Sequence, residues 1–186
     1  MDYSKAFDCA NHDLILAKAR ALGFMDSAIL LLNSYLSDRF QKIKLENEES
    51  EWTSLINGVP QGSILGPLLF TILLTDIKDV IVYSKHHCYA DDTQVYTSCK
   101  LSDIETSLHQ INCDLENIAK FSENNSLDLN AGKSKYIIFG SKSNLSKLDR
   151  KALPPVLINK QQIDREKNRE KFCVIFDENL SFEKHI

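Results

Sequence analysis

Two adjacent carboxylates are the sharpest chemical feature of the chain. Asp91 and Asp92 follow Tyr89 and Ala90 at a predicted turn between two apolar runs. Neighbouring carboxylates repel each other unless water or a cation screens them, so the pair could hold a metal ion. Aspartate is also common in turns, because its side chain bonds the local backbone. Taken alone, the pair is more simply explained as an ordinary turn.

Two other segments contain residues suited to binding. Asp2 lies five residues before Phe7, where ordinary exposed acids are a simple alternative explanation. Residues 58–67 contain three glycines and two prolines before an apolar run. Such a loop lets the backbone approach a ligand closely and holds Gln61 in a rigid setting. A plain strand-to-helix connection would have the same composition.

The three carboxylates suggest one site when they are considered together. Asp2, Asp91 and Asp92 could hold two divalent ions about 3.5–4 Å apart, and hard oxygen ligands suit Mg²⁺. Residues 1–132 carry a net charge of −9 and residues 133–171 carry +7, within a total of −4. An acidic body suits bound cations, and a basic segment suits a polyanion. A solvated lysine-rich loop region is the simpler explanation of the basic segment alone.

Composition limits the class of protein. The chain has 186 residues, of which 43% are hydrophobic and 26% charged, which is enough for one domain with a core and excludes general disorder. Its longest apolar stretch is about a dozen residues, short of the ~20 that span a bilayer. Five irregularly spaced cysteines and no signal-peptide pattern predict reduced thiols in an intracellular protein, nuclear or cytoplasmic.

Apolar spacing predicts elements that would position these residues. The chain alternates helical and strand patterns with turns between them, and no domain boundary is visible, so we predict an α+β fold with an antiparallel sheet. The predicted helices lie at residues 13–22, 26–36, 64–74 and 104–118. The predicted strands lie at residues 42–45, 52–56, 80–83, 88–89, 94–97 and 136–139, and near 156–163 and 172–176.

Six segments in order resemble one known family. The sequence resembles the reverse transcriptase palm of non-LTR (LINE-type) retrotransposons of the jockey and CR1-like kind, over nearly the whole chain. One such motif would be weak, but six in the family's order are specific. The matching segments are residues 2–8 followed by His12, then 34–41, 58–70, 89–93, 129–135 and 176–186.

The resemblance implies a fold and an activity. It implies a polymerase palm, with an antiparallel sheet backed by helices in an RRM or ferredoxin-like core, over residues 1–186. The family's fingers and thumb would be missing, which predicts exposed apolar surface where they should pack. The activity implied is RNA-directed DNA polymerase, using an RNA template, a DNA primer, dNTPs and two Mg²⁺ ions, with Mn²⁺ as a possible substitute.

The resemblance also implies residue roles. Asp2, Asp91 and Asp92 would bind the metal ions, and Lys133 would face the triphosphate, although an ordinary exposed lysine is an equal alternative. Phe7 would be a steric gate against the ribose 2′-hydroxyl. The remaining substrate-binding residues would be Gln61 and Gly62 at the nucleotide and template base, and Tyr89 and Ala90 beneath the primer end.

Two departures from the family leave a second hypothesis open. Cys173 stands where the family usually has a glycine, which would strain the hairpin there if the position needs a positive φ. The missing fingers and thumb also point to a fragment. The competing hypothesis is therefore an inert palm that at most binds nucleic acid or a protein partner.

Overall fold

The computed structural model describes residues 1–149, 152–171 and 174–183. Within them the chain is a mixed α/β protein, as predicted. Cys173 and residues 184–186 of the last family-like segment lie outside the described residues. The helices are α1 (Ala6–Cys9), α2 (His12–Ala21), α3 (Asp26–Leu36), α4 (Leu65–Leu73), α5 (Ile104–Asn124) and α6 (Lys142–Ser146), with 3₁₀ turns at Ile77–Val80 and Leu101–Asp103.

The strands are short and pair two by two. They are β1 (Tyr3–Ser4), β2 (Arg39–Gln41), β3 (Lys44–Leu45), β4 (Glu48–Glu49), β5 (Thr53–Leu55), β6 (Lys85–Tyr89), β7 (Asp92–Tyr96), β8 (Asp128–Leu129), β9 (Lys135–Tyr136), β10 (Leu157–Ile158), β11 (Gln161–Gln162), β12 (Asp164–Arg165), β13 (Asn168–Lys171) and β14 (Val174–Asp177). Among the described residues, the pairs are β1–β8, β2–β5, β3–β4, β6–β7, β9–β12, β10–β11 and β13–β14.

The predicted single antiparallel sheet is not what these strands form. The β9–β12 pair is parallel, and the other pairs in the described chain are antiparallel. The longest of them, β6–β7, joins five residues of each strand. The two pairs β1–β8 and β6–β7 lie near each other, because the amino nitrogen of Met1, two residues before β1, donates to the carbonyl oxygen of Thr93 in β7 at 2.6 Å.

The helices follow the predicted spacing. Helix α3 buries Ile29, Leu32 and Leu36 along one face. Helix α5 buries Leu108 and Leu115 and packs against β8 and β10. These faces meet α2 and α4 in one apolar core, so the 3.6-residue period predicted them correctly.

Two predicted strands are wrong in whole or in part. Residues 81–84 form no strand, because the carboxylate of Asp114 binds the backbone N–H groups that a strand would offer. Residues 77–80 form the 3₁₀ turn instead. The strand predicted at 136–139 is limited to Lys135–Tyr136. Both segments contain the apolar residues typical of a strand, but an apolar run alone does not decide whether neighbouring backbone groups form a ladder along its whole length.

Large apolar side chains are exposed along the long hairpin that begins with β2 and ends with β5. Trp52 is 63% exposed and Ile56 is 79% exposed. The other exposed members are Phe40, Ile43 and Leu45. This agrees with the expectation of exposed apolar surface. That another domain packs against these side chains stays a prediction. None of the helices described is long and apolar enough to cross a membrane.

The turn after β14 gives a prediction about acid stability. The carboxylate of Asp177 accepts hydrogen bonds from the backbone N–H groups of Asn179, Ser181 and Phe182, at 2.8–2.9 Å, and from the Ser181 hydroxyl. Burial acts to raise the pKa of Asp177, but the hydrogen bonds from Ser181, Asn179 and Phe182 outweigh it and lower the pKa from 3.8 to about 2.

A lowered pKa in the folded state means that the ionised carboxylate favours folding. The contribution of Asp177 is complete above about pH 4 and is lost as the pH falls toward 2. We expect Asp177→Asn to flatten the decline in the free energy of unfolding between pH 4 and 2, measured by urea titration at each pH. An identical decline in the variant would contradict this assignment.

Candidate functional site

The aspartate pair lies at a tight hairpin. Strands β6 and β7 are joined by a two-residue turn of Ala90 and Asp91, so that Tyr89 pairs with Asp92. Ala90 adopts a left-handed conformation with φ +52°, which is unusual for a residue with a side chain. Asp91 is exposed at the tip, and Asp92 is half-buried at the start of β7. The predicted turn is confirmed, although Asp92 belongs to the strand.

Asp2 lies directly before β1 and is held by backbone hydrogen bonds. Its carbonyl oxygen accepts a hydrogen bond from the Asn130 N–H at 2.9 Å, and its own N–H donates to the Ser134 hydroxyl at 3.2 Å. On the other side, Met1 donates to Thr93, the residue after Asp92. Two segments far away in sequence therefore fix the backbone on both sides of Asp2 next to the hairpin.

The donor atoms of this region suit a hard divalent cation. Asp2, Asp91 and Asp92 offer carboxylate oxygens, which Mg²⁺ prefers over nitrogen or sulfur. Within the described residues, however, no three His, Cys, Asp or Glu side chains lie close enough together to hold one metal ion. The structure thus connects the residue before Asp2 to the residue after Asp92, through the bond from Met1 to Thr93, without a formed three-ligand cluster among the described residues.

The glycine-rich loop is bonded to the segment that follows Asp2. Gly58 donates its N–H to the carbonyl oxygen of Ala10 at 2.7 Å, and Val59 donates to that of Phe7 at 2.8 Å. The ring Nε2 of His12 lies 2.7 Å from the carbonyl oxygen of Gly58 and is placed to donate to it. These contacts make the loop and residues 7–12 one unit, which explains why the two motifs occur together.

Gln61 and Phe7 lie on this unit. The Gln61 amide donates to the Asp8 carboxylate at 3.2 Å, and both side chains are exposed. Gly62 follows with φ +79°, and open space surrounds the position of a side chain. The ring of Phe7 stacks on the buried ring of Phe70, with centroids 4.9 Å apart. Phe7 therefore stands half-buried at the edge of the core, with its backbone tied to the loop.

Lys133 lies in the turn that holds Asp2. Its backbone N–H is held by the Asn130 side chain at 3.0 Å, and the next residue, Ser134, accepts from Asp2. The Lys133 side chain is exposed. The sequence interpretation placed this lysine near the metal ligands on motif order alone, and the structure brings its backbone beside Asp2.

Sequence reasoning missed Tyr3. Its side chain is 3% exposed, and its hydroxyl has no hydrogen-bond partner in good geometry among the described residues, although Ser122 and Thr93 lie near it. Burial raises the pKa of Tyr3 above its ordinary value, in spite of Ser122. Alternation along β1 would have placed Tyr3 on the face opposite Asp2, toward the core.

A buried hydroxyl without a partner loses its water and gains nothing in return. We therefore expect Tyr3→Phe to leave the free energy of unfolding unchanged or to raise it by about 1 kcal/mol. Urea denaturation of the two proteins measures the difference. A loss of stability of similar size would instead mean that the hydroxyl bonds Ser122 or Thr93 in solution.

Comparisons with known proteins agree with the order of the motifs. Residues 1–170 match the family model described as reverse transcriptase (RNA-dependent DNA polymerase). All of the chain aligns, at 28% identity, with the RNA-directed DNA polymerase from mobile element jockey of Drosophila melanogaster, covering 20% of that protein. A probable RNA-directed DNA polymerase from transposon X-element of the same organism aligns with 84% of the chain at 29% identity, covering 17% of its own length.

A more distant comparison points the same way. A retrovirus-related Pol polyprotein from the type-1 retrotransposable element R2 of Popillia japonica aligns with 41% of the chain at 34% identity, over 13% of its own length. The chain spans about a fifth of the length of the curated relatives it matches.

Proposed function

Because the chain belongs to the reverse transcriptase (RNA-dependent DNA polymerase) family, we propose that it acts as the palm of a non-LTR retrotransposon polymerase. In this function, nucleotidyl groups are transferred from dNTPs to the 3′-hydroxyl of a DNA primer on an RNA template. The observation that carries the proposal is the Asp91–Asp92 hairpin beside the strand of Asp2, linked by the bond from Met1 to Thr93.

The strand order supports a palm. Joined through the bond from Met1 to Thr93, the β1–β8 and β6–β7 pairs would give the order β8–β1–β7–β6, which with α5 against β8 is the order expected of a ferredoxin-like core. In that arrangement β1 would be central, and Asp2, just before it, would face the side opposite Tyr3. Tyr3 is buried on one side, so the face of Asp2 is the one available to nucleic acid.

The proposed roles of the residues are those that the family resemblance implies. Asp2, Asp91 and Asp92 would hold two Mg²⁺ ions, which supply activation of the 3′-hydroxyl and neutralisation of the leaving pyrophosphate. Lys133 would bind the triphosphate from the neighbouring turn. The substrate contacts that remain are Gln61 and Gly62 with the incoming nucleotide and template base, and Tyr89 and Ala90 with the primer end.

Phe7 is proposed to exclude ribonucleotides. Its ring is fixed by stacking on Phe70 and by the bond from Val59 to its carbonyl oxygen, so it could not move aside for a 2′-hydroxyl. We expect Phe7→Val to lower the preference for dNTP over rNTP by roughly 10- to 100-fold, the size of a steric pocket effect. The measurement is the kcat/KM for dTTP and for UTP in primer extension, and an unchanged ratio would exclude Phe7 as the gate.

The experiment that tests the proposed function is primer extension on poly(rA)·oligo(dT) with Mg²⁺ or Mn²⁺. Extension above the level of the Asp91→Asn/Asp92→Asn double variant supports the function. If both proteins are folded and neither extends the primer, the chain by itself is not a polymerase.

One observation favours a second candidate function, an inert palm that binds nucleic acid. The described carboxylates form no three-ligand cluster, and residues 133–171 carry a net charge of +7. Binding of primer-template that weakens steeply with salt, without extension, is the result expected of this candidate.

A further inference from the structure

A buried and fully hydrogen-bonded acid of the described chain lies outside the proposed metal site. Asp114 lies in the middle of α5 with a fully buried side chain. Its carboxylate accepts from the N–H groups of Val82 at 2.8 Å, Tyr83 at 3.1 Å and Ser84 at 2.7 Å. One turn farther along α5, the Asn117 amide donates to the carbonyl oxygen of Val80 at 3.2 Å.

These three amides directly precede the hairpin. Lys85, the next residue, begins β6, which ends at Tyr89 beside the aspartate pair. Among the described strands, β6 pairs only with β7 and has no strand on its outer edge. The hairpin is therefore held on one side by the bond from Met1 to β7 and on the other side by Asp114.

A carboxylate is chemically suited to this position. It has two oxygens that only accept, so three converging N–H donors can all be satisfied. The side chains of Val82 and Tyr83 are exposed, so their backbone groups, not their side chains, attach this segment to the core. An asparagine of the same size would turn its own N–H₂ group toward at least one of these donors.

We propose that Asp114 is a positioning residue that fixes the base of the β6–β7 hairpin and thereby holds Asp91 and Asp92 in place for divalent cations. The part about cations rests on the proposed function. The part about the hairpin rests only on the bonds from Val82, Tyr83 and Ser84.

The test uses two variants and one matched control. Asp114→Asn removes acceptors and adds a donor. Val82→Pro removes one donor and leaves the carboxylate, and the extended conformation of Ile81 is compatible with a following proline. Glu116→Gln makes the same chemical change as Asp114→Asn on an exposed residue of α5 that pairs only with Lys120 in the described structure.

Hydrogen exchange of the hairpin is the first measurement. We expect exchange of the amides in residues 82–96 to speed up about ten- to a hundredfold in Asp114→Asn and about tenfold in Val82→Pro, because charge-assisted hydrogen bonds are lost. Helices α2 and α3 should be unchanged, which separates local release from general unfolding. Exchange in residues 82–96 equal to that of Glu116→Gln in both variants would overturn the proposal.

The second measurement is the binding of Mn²⁺ alone. It is monitored by NMR, through the paramagnetic broadening of the backbone amide signals of residues 90–93. We expect Asp114→Asn to need about ten times more Mn²⁺ than Glu116→Gln for the same broadening. If exchange speeds up but the Mn²⁺ requirement is equal, the hairpin is fixed by Asp114 without any effect on cations, and the positioning role is refuted. If Mn²⁺ broadens no signals even in the unaltered chain, the proposed function fails, while the exchange result still decides the attachment of the hairpin.

Discussion

Replacing Asp92 with asparagine should reduce primer extension by about a thousandfold. The change keeps the size of the side chain and removes its charge, so the proposed metal site would lose an anionic ligand worth several kcal/mol of transition-state stabilisation. Asp92 is the half-buried member of the pair and precedes Thr93, which bonds Met1 next to Asp2, so we expect it to be the better placed of the two for a shared ion. The measurement is kcat for dTTP addition at saturating Mg²⁺.

Asp128→Asn is the matched control for this experiment. Asp128 is exposed on β8, where it pairs with Ser4 of β1, so it is close to the same strands but outside the carboxylate set. We expect its extension rate to stay within about twofold of the unaltered chain, as for other surface substitutions. Equal rates for the Asp92→Asn and Asp128→Asn proteins would remove Asp92 from the site.

Stability should move in the opposite direction to activity. Asp91 and Asp92 are adjacent like charges, and their repulsion disfavours the hairpin when no cation is bound. Without metal, the Asp91→Asn/Asp92→Asn protein should therefore melt at the same temperature as the unaltered chain or higher. A lower melting temperature would mean that loss of extension reflects unfolding.

The sequence predicted the elements whose cause is local. The spacing of Ile29, Leu32 and Leu36 defines the buried face of α3, and the turn at Ala90 and Asp91 follows from the two aspartates that interrupt the apolar runs. The contact of residues 58–62 with residues 7–12 is a finding of the structure, which places two of the family-like segments side by side. The coordination of metal by Asp2, Asp91 and Asp92 stays a prediction.

What the sequence did not predict depends on contacts between distant segments. Asp114 follows Ile111 by three residues and precedes Ile118 by four, so helical spacing alone places an acid on the buried face of α5. That signal indicates a buried acid but not its partners, which lie some thirty residues earlier. The strand prediction for residues 80–83 is wrong for the same reason. Nothing in the local sequence shows that the N–H groups of Val82 and Tyr83 bond a carboxylate of α5.

The left-handed conformation of Ala90 is a second feature without a local signal. Glycine, asparagine or aspartate would be expected at such a position, and alanine accepts it only because the flanking strands impose it. The short strands have a related cause. The backbone just before β1 is bonded to Thr93 on one side and to Asn130 and Ser134 on the other, so its placement is fixed by two distant segments and not by its own sequence.

Replacing Gly58 with alanine should cost about 2–4 kcal/mol of the free energy of unfolding. Gly58 has φ +91°, a conformation that strains any residue with a side chain by about 1 kcal/mol. A Cβ atom there would also lie 2.8 Å from the carbonyl oxygen of Asp8 and 3.1 Å from its Cα, both backbone atoms that cannot rotate away. Overlap of this kind adds roughly 1–3 kcal/mol.

Gly23→Ala is the control that separates these two costs. Gly23 has nearly the same backbone angle, φ +87°, and no atom lies within 4 Å of the position of its Cβ. It should therefore lose only the conformational part, about 1 kcal/mol. Urea denaturation of both variants gives the difference, and equal losses would mean that the loop moves away from Asp8 without cost. If Gly58→Ala loses more stability than Gly23→Ala, the added Cβ is straining the contact between residues 7–12 and the Gln61 loop. Primer extension should then fall in Gly58→Ala and be retained in Gly23→Ala.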